Sequence, residues 1–160
     1  MSQATEVERK FLVAELPDLT RARAVRIRQG YLTSKADSVE IRLRQKGDTY
    51  LTTLKKGAGL ERVECEANIS EVHFDAFWPA TEGRRVEKTR WSGQLAGGAT
   101  FELDIFEGTL APLVLVEVEF GTVKEATGFQ PPAWFGQDVT DDARYSNASL
   151  AASGAPAPSA

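Results

Sequence analysis

The stretch VEIRLRQKGDTYLTTLKK, residues 39–56, contains an alternating segment and a less regular one, joined by a short turn. In the first segment Arg42 and Arg44 alternate with apolar residues, which is the two-residue period of a strand with one buried face. The turn Lys46-Gly47-Asp48 combines a glycine with polar residues, as tight turns commonly do. The stretch therefore predicts a hairpin of two antiparallel strands with an apolar face and a charged face.

Alternation of the same kind recurs along most of the chain and predicts eight strands. The segments are residues 5–14, 25–33, 39–45, 49–56, 61–69, 84–92, 99–107 and 113–121. Most links between them are short, which favours antiparallel pairing because parallel strands need long crossovers. Helices are expected over residues 70–78, near 123–127, and from about 140 with a continuation over 145–152.

These elements predict a mainly β protein of the α+β class. We expect an eight-stranded antiparallel closed β-barrel, a tunnel with a charged lumen and a few packing helices. No repeat or composition change divides the chain, so a single domain is expected over residues 1–152. Residues 153–160 are small or proline and predict a disordered tail.

The composition argues against several classes of partner. The 160 residues carry a net charge of −4, so a general attraction to nucleic acid is not expected. No run reaches the roughly 18 apolar residues of a membrane helix, and the first residues lack the apolar core of a signal peptide. The single cysteine, Cys65, is typical of a cytoplasmic protein. We expect a small-molecule substrate and no membrane partner, with a homodimer left open as an assembly.

The charged residues form blocks of one sign on single strand faces. These blocks include Arg42 with Arg44, Lys88 with Arg90, Glu102 with Asp104, and Glu117 with Glu119. A solvated face of an amphipathic sheet is the simplest explanation for any one strand. Adjacent like charges repel, however, so the recurrence of such blocks favours ligands of opposite charge lying among them.

A linear polyphosphate would neutralise the basic blocks, and divalent cations would neutralise the acidic ones. The inward-facing basic candidates are Lys10, Arg42, Arg44, Lys55, Arg62, Lys88 and Arg90. The inward-facing acidic candidates are Glu6, Glu8, Glu64, Glu66, Glu102, Asp104, Glu117 and Glu119. Ligands that offer only oxygen predict Mg²⁺ or Mn²⁺ as the cofactor. With one histidine and one cysteine, the chain is not expected to assemble a zinc site.

The segment Glu6-Val7-Glu8-Arg9-Lys10 resembles the ExExK signature of the CYTH superfamily, also called triphosphate tunnel metalloenzymes. The resemblance covers roughly residues 5–150 in the order of the family's strands, and includes Arg42-Leu43-Arg44 and Lys88-Thr89-Arg90. Residues 28–32, RQGYL, and residues 132–136, PAWFG, are most similar to small bacterial members that act as inorganic triphosphatases.

The resemblance implies an eight-stranded tunnel in which basic residues hold a triphosphate. It implies a first metal held by Glu6, Glu8 and the strand of Glu117 and Glu119. It implies a second metal that positions the attacking water, with Glu64, Glu66, Glu102 or Asp104 as candidate ligands.

The resemblance also implies a lysine–tyrosine pair that acts in substrate choice and water attack, and Lys10 and Tyr31 match these places. A nearby ammonium group would lower the pKa of the Tyr31 phenol. The alternative is that Tyr31 is a packing residue with a paired hydroxyl.

The expected reaction is metal-dependent hydrolysis of inorganic triphosphate to pyrophosphate and phosphate, by direct attack of water. Cyclisation of ATP, as in class IV adenylate cyclases, needs the same grip on a triphosphate and is one alternative. Hydrolysis of thiamine or nucleoside triphosphates is a second. A module that binds polyphosphate without cleaving it is a third, although binding alone needs the cations far more than the carboxylates.

Overall fold

The computed structural model describes residues 7–57 and 63–157, and these residues contain nine strands. The strands are β1 Val7–Val13, β2 Arg23–Tyr31, β3 Val39–Lys46, β4 Thr49–Lys56, β5 Val63–Asn68, β6 Arg85–Gln94, β7 Thr100–Phe106, β8 Val114–Phe120 and β9 Phe135–Asp138. The predicted hairpin is confirmed, because β3 and β4 pair antiparallel from Val39 opposite Lys56 to Lys46 opposite Thr49. Gly47 between them has a φ of 58°, a left-handed conformation that glycine adopts without strain.

All nine strands lie in one antiparallel sheet with the order β5-β4-β3-β2-β6-β7-β8-β1-β9. The predicted mainly β fold is confirmed, but the predicted closed barrel of eight strands is wrong. In the described ranges β5 and β9 are the two ends of an open sheet. Strand β9 pairs with β1, so the edge of β1 that a closed barrel would have offered to β5 is already occupied.

The ninth strand has little sequence signal. It contains four residues, and Phe135 is its only buried one. A strand this short shows no measurable alternation, and it follows two consecutive prolines that suggest a loop. Its place in the sheet depends on pairing with β1, more than a hundred residues earlier in the chain.

Three α-helices are α1 Glu71–Phe77, α2 Val123–Gly128 and α3 Asn147–Ser153. Each begins after a hydroxyl residue, Ser70, Thr122 or Ser146, whose side chain accepts a hydrogen bond from a backbone amide of the first turn. The first two agree with the sequence. The third begins later than expected, because a 3-10 turn over Ala143–Tyr145 precedes it. Two further 3-10 turns are Trp78–Thr81 and Gly108–Leu110.

The sheet buries apolar residues on both faces. On the outer face, a cluster from β1, β7, β8 and β9 consists of Phe11, Phe101, Leu103, Val116, Val118 and Phe135. At one end of the inner face, Val86, Phe106 and Leu115 pack against Val139, Tyr145 and Leu150. The C-terminal segment therefore covers this end of the inner face, and we call the covered end the floor. None of the helices in the described ranges has the length and apolar character needed to span a bilayer.

Candidate functional site

Above the floor, the inner face of the sheet encloses a cavity of about 630 Å³ with charged walls. Each of the strands from β1 to β8 contributes to it, and the start of α3 adds three residues. The lining residues are Glu8, Lys10, Tyr31, Glu40, Arg42, Arg44, Lys55, Glu64, Glu66, Arg90, Glu102, Glu117, Glu119, Ser146, Asn147 and Ala148. The open sheet thus still brings acidic and basic side chains from distant parts of the chain around one space.

Most of the residues proposed from the sequence lie in this wall. Lys88 and Asp104 share the inner face but lie beneath the cavity, at 0% and 3% exposure. Glu6 and Arg62 lie outside the described residues.

Beneath the cavity, Asp104 joins two cations in a buried network. The guanidinium of Arg90 donates to both of its oxygens, from Nε at 2.8 Å and from Nη2 at 2.9 Å. Lys88 Nζ lies 2.8 Å from Asp104 Oδ2 and donates to Asn147 Oδ1 at 3.0 Å. Burial raises the pKa of Asp104, but Lys88 and Arg90 outweigh it and leave that pKa below its usual value. Burial lowers the pKa of Lys88 to about 8 despite the attraction of Asp104.

The network directs Arg90 toward the cavity. Arg90 spans the two layers, because it binds buried Asp104 and also pairs with Glu102 of the wall. Both oxygens of Asp104 are occupied by strong donors. Asp104 is thus placed to orient Lys88 and Arg90, while Glu102 remains at the cavity surface.

The basic wall contains Arg42 and Arg44 on β3. Arg42 Nη2 donates to Thr53 Oγ1 at 3.3 Å and lies 3.8 Å from Glu66 Oε2. Within the described part of the chain, Arg42 Nε is buried without a hydrogen-bond partner. Burial and the neighbouring cations Arg42 and Arg90 lower the pKa of Arg44 to about 10. An anion in the cavity would relieve this repulsion.

The acidic wall contains Glu8 on β1 with Glu117 and Glu119 on β8. Strand pairing places Glu8 opposite Glu119 and Lys10 opposite Glu117. Partial burial and the adjacent Glu117 raise the pKa of Glu8 to about 7, even though Lys10 opposes the shift. Carboxylates held this close repel one another when ionised, and a divalent cation between them would remove that penalty.

Lys10 and Tyr31 both line the cavity, but the pKa expected for Tyr31 from the sequence is wrong. Burial raises the pKa of Tyr31 above its usual value, and the charge of Arg42 only partly offsets this. Lys10 Nζ instead lies 3.4 Å from Glu117 Oε1 and donates to the backbone oxygen of Tyr145 at 3.1 Å. Tyr31 is therefore a neutral phenol at neutral pH.

Glu40, Gln29 and Asn147 are among the residues in or beside the wall that were not recognised from the sequence. Glu40 alternates with Arg42 and could have been found from the strand period. Gln29 alternates with Tyr31 in the same way and lies buried behind it, bonded to Arg44. Asn147 could not have been found, because its position depends on how the C-terminal segment folds back over β6.

The acidic side chains of the cavity carry the oxygen ligands that a hard divalent cation prefers. The described residues contain no ready-made group of three acidic, histidine or cysteine side chains arranged to hold a metal ion. The chemistry of the walls nevertheless fits such an ion. The acidic residues offer only oxygen ligands, and the carboxyl groups of Glu8 and Glu117 are already within hydrogen-bonding distance of each other. Mg²⁺ is commonly held by one or two carboxylates together with substrate phosphates, so a complete protein cage is not required.

The CYTH domain family model matches residues 4–152. The chain belongs to the CYTH family. Two relatives named inorganic triphosphatase support the assignment. The one from Nitrosomonas europaea is 58% identical over 149 residues, which cover 93% of this chain and 98% of the relative. The one from Acetivibrio thermocellus is 35% identical over 148 residues, covering 91% and 92%.

Solved structures agree with the CYTH assignment. The crystal structure of an inorganic triphosphatase superposes with a TM-score of 0.83 at 54% identity, and the match covers 96% of this chain and 99% of that one. A Hippeastrum protein with a dominant triphosphatase activity gives a TM-score of 0.55 at 14% identity, over 78% of this chain and 83% of its own. At that identity the second likeness shows only that the fold is shared.

Proposed function

We propose that this CYTH protein is a hydrolase that cleaves a phosphoanhydride bond of inorganic triphosphate, with pyrophosphate and phosphate as products. The observation that carries the proposal is the cavity in which Arg42, Arg44 and Arg90 face Glu8, Glu117 and Glu119. Phosphoryl transfer depends on positioning and on neutralising charge around the phosphate oxygens, and a cavity with both kinds of wall provides for both. The names of the two bacterial relatives support the same activity.

In this proposal the basic wall holds the substrate. Arg42 and Arg44 present planar guanidinium groups that can donate two hydrogen bonds to one phosphate, and Arg90 is held in place by Asp104. Lys55 and Lys10 add point charges at the same surface. Arg62, which lies outside the described residues, remains a further candidate for binding the substrate.

The acidic wall would hold Mg²⁺ or Mn²⁺. Glu8, Glu117 and Glu119 are the proposed ligands of a first ion, with Glu6 as a further candidate outside the described residues. Glu64, Glu66 and Glu102, on other strands of the wall, are the candidates for a second. A bound ion would supply charge neutralisation at the phosphate oxygens and a lowered pKa for an attacking water. Lys10 beside Glu117 would keep this wall from becoming too negative for a polyanion.

The test is phosphate release from inorganic triphosphate with Mg²⁺ or Mn²⁺, compared with the same mixture in EDTA. We expect metal-dependent release that Arg44→Ala abolishes. Arg26→Ala is the matched control, because Arg26 lies on the outer face of β2 and is 64% exposed. Release that persists undiminished in Arg44→Ala would show that the charged cavity is not the site.

Two further arms separate the other reactions. In the first arm, ATP is added with metal. Formation of cyclic AMP would show that cyclisation, and not hydrolysis, is the main reaction. Thiamine triphosphate and a nucleoside triphosphate are compared with inorganic triphosphate by kcat/KM. Binding of triphosphate by calorimetry without any turnover would instead identify a binding module.

A further inference from the structure

Gln29 is a fully buried polar residue beside the substrate-binding arginines, with 0% of its surface exposed. Its strand, β2, places it opposite Arg44 of β3 and opposite Val86 of β6. Tyr31 follows two residues later on the same face and lines the cavity. A buried amide must satisfy both its oxygen and its nitrogen, so its two contacts define how it is oriented.

Arg44 determines which way the Gln29 amide points. Arg44 Nε donates to Gln29 Oε1 at 3.0 Å, and a guanidinium has no acceptor to offer in return. Reversing the amide would set its NH₂ group against the Arg44 donor in a buried place, with neither group satisfied. The amide nitrogen must therefore face the other way, where Gln29 Nε2 donates to the Tyr31 hydroxyl oxygen at 3.3 Å.

The orientation of Gln29 constrains the hydroxyl of Tyr31 in turn. The phenol oxygen accepts from Gln29, and Arg42 also acts on it as a hydrogen-bond donor. Both neighbours are donors, so neither can accept the proton of the phenol. That proton is left to point away from Gln29 and Arg42. Tyr31 lines the cavity together with Glu40, so a phosphate there would compete with the Glu40 carboxylate for the proton.

We propose that Gln29 is a positioning residue that turns the hydroxyl proton of Tyr31 into the cavity, so that Tyr31 donates a hydrogen bond to a phosphate oxygen of the substrate. The inference rests on the proposed function, because it requires a phosphate at this place. It gives Tyr31 the role of a donor and not of a base. Arg44 then acts twice, once on the substrate and once through Gln29 on the tyrosine.

The first test is Gln29→Glu, alone and combined with Tyr31→Phe. The carboxylate can only accept, so it would draw the tyrosine proton away from the cavity. We expect kcat/KM for inorganic triphosphate to fall by about 10- to 100-fold, the range for one hydrogen bond to a charged group. In the Tyr31→Phe background there is no proton to redirect, and the same substitution should cost little more. An equal loss in both backgrounds would mean that added charge or disturbed packing acts by itself, which overturns the inference.

The second test needs no substrate and uses Gln29→Met, which keeps the length of the side chain without its donor. The phenol of Tyr31 is titrated by ultraviolet absorbance, and the signal of Tyr50 and Tyr145 is subtracted with the Tyr31→Phe variant. If Gln29 donates to the phenol oxygen, its removal disfavours the phenolate and the pKa of Tyr31 rises. A fall, or no change, would mean that Gln29 does not donate and would overturn the inference.

The two tests also separate this inference from the function on which it rests. If wild-type protein does not hydrolyse triphosphate but Gln29→Met raises the pKa of Tyr31, the proposed function fails and the orientation of Gln29 stands. If wild-type protein hydrolyses triphosphate and the pKa falls, the function stands and the role of Gln29 fails. The titration also decides the matter should Gln29→Glu not fold.

Discussion

In its protonated form Glu8 of β1 donates a hydrogen bond to the carboxylate of Glu117 on the neighbouring strand β8. Partial burial and the charges of Glu117 and Glu119 raise the pKa of Glu8 to about 7, with Lys10 opposing. The pair is therefore under electrostatic strain at neutral pH, in a wall that offers oxygen ligands. A cation that displaces the shared proton would bind best above pH 7.

The first prediction is that Glu8→Gln stabilises the metal-free protein at pH 8 while removing hydrolysis. Because the pKa of Glu8 is about 7 in the folded state and 4.5 ordinarily, the folded state holds a proton that the unfolded state has lost between these values. Wild-type stability should therefore fall as pH rises from about 4.5 to 7, and the variant should lack that fall. Urea denaturation in EDTA at pH 5 and pH 8 measures it. Glu82→Gln, at an exposed position outside the cavity wall, should follow the wild type. Equal pH dependence in Glu8→Gln and wild type would contradict the prediction.

The second prediction separates the two acidic residues of β7. Asp104→Asn removes the carboxylate that pairs with buried Lys88 and leaves Arg90 with Glu102 alone, so we expect a loss of about 3–5 kcal/mol in the free energy of unfolding. Glu102→Gln acts on a side chain that is 33% exposed and should cost only about 0–1 kcal/mol, yet lower kcat/KM. Denaturant unfolding and phosphate release are measured for both. If both variants lost a similar free energy of unfolding, the burial of Asp104 would have no effect on stability and the prediction would be wrong.

The third prediction concerns the shape of the Arg44 side chain, beyond its charge. Arg44→Lys keeps a cation but loses the Nε donor to Gln29 and the planar fork, so kcat/KM should fall by about 10- to 100-fold. Arg26→Lys, on the outer face, should leave kcat/KM unchanged. Steady-state kinetics with inorganic triphosphate compare the two. Full activity in Arg44→Lys would contradict the prediction and show that only the positive charge of Arg44 is needed.

The fourth prediction links strand packing to the position of Tyr31. A Cβ at Gly30 would lie 2.6 Å from Thr81 Cβ and Oγ1, so Gly30→Ala must push β2 away from the turn over Trp78–Thr81. We expect a loss of about 1–3 kcal/mol in unfolding free energy and a lower kcat/KM, since Gly30 lies between Gln29 and Tyr31. Gly97→Ala meets open space and should change stability by about 0.5 kcal/mol or less. Thermal melts and kinetics test both, and equal behaviour of the two variants would refute the packing argument.

Much of the site could be predicted from the strand period. Arg42 and Arg44 on β3, Glu64 and Glu66 on β5, and Arg90 on β6 reach one cavity because alternate residues of a strand share a face. The same period also places Gln29 on the face of Tyr31 and Glu40 on the face of Arg42, although neither belongs to a block of like charge. Asn147 reaches Lys88 only through the fold of a segment 59 residues further on.

The amino-acid sequence by itself determined which side chains share a face, because backbone geometry imposes the two-residue period on each strand locally. Only the tertiary structure decided that β9 would pair with β1 and leave the sheet open, since that pairing joins residues more than 120 positions apart. The tertiary structure also decided how deeply each charged side chain is buried. Lys88 and Arg90 follow one pattern, yet Lys88 is covered by α3 and Arg90 reaches the cavity, because burial depends on which distant segment packs over each end of a strand.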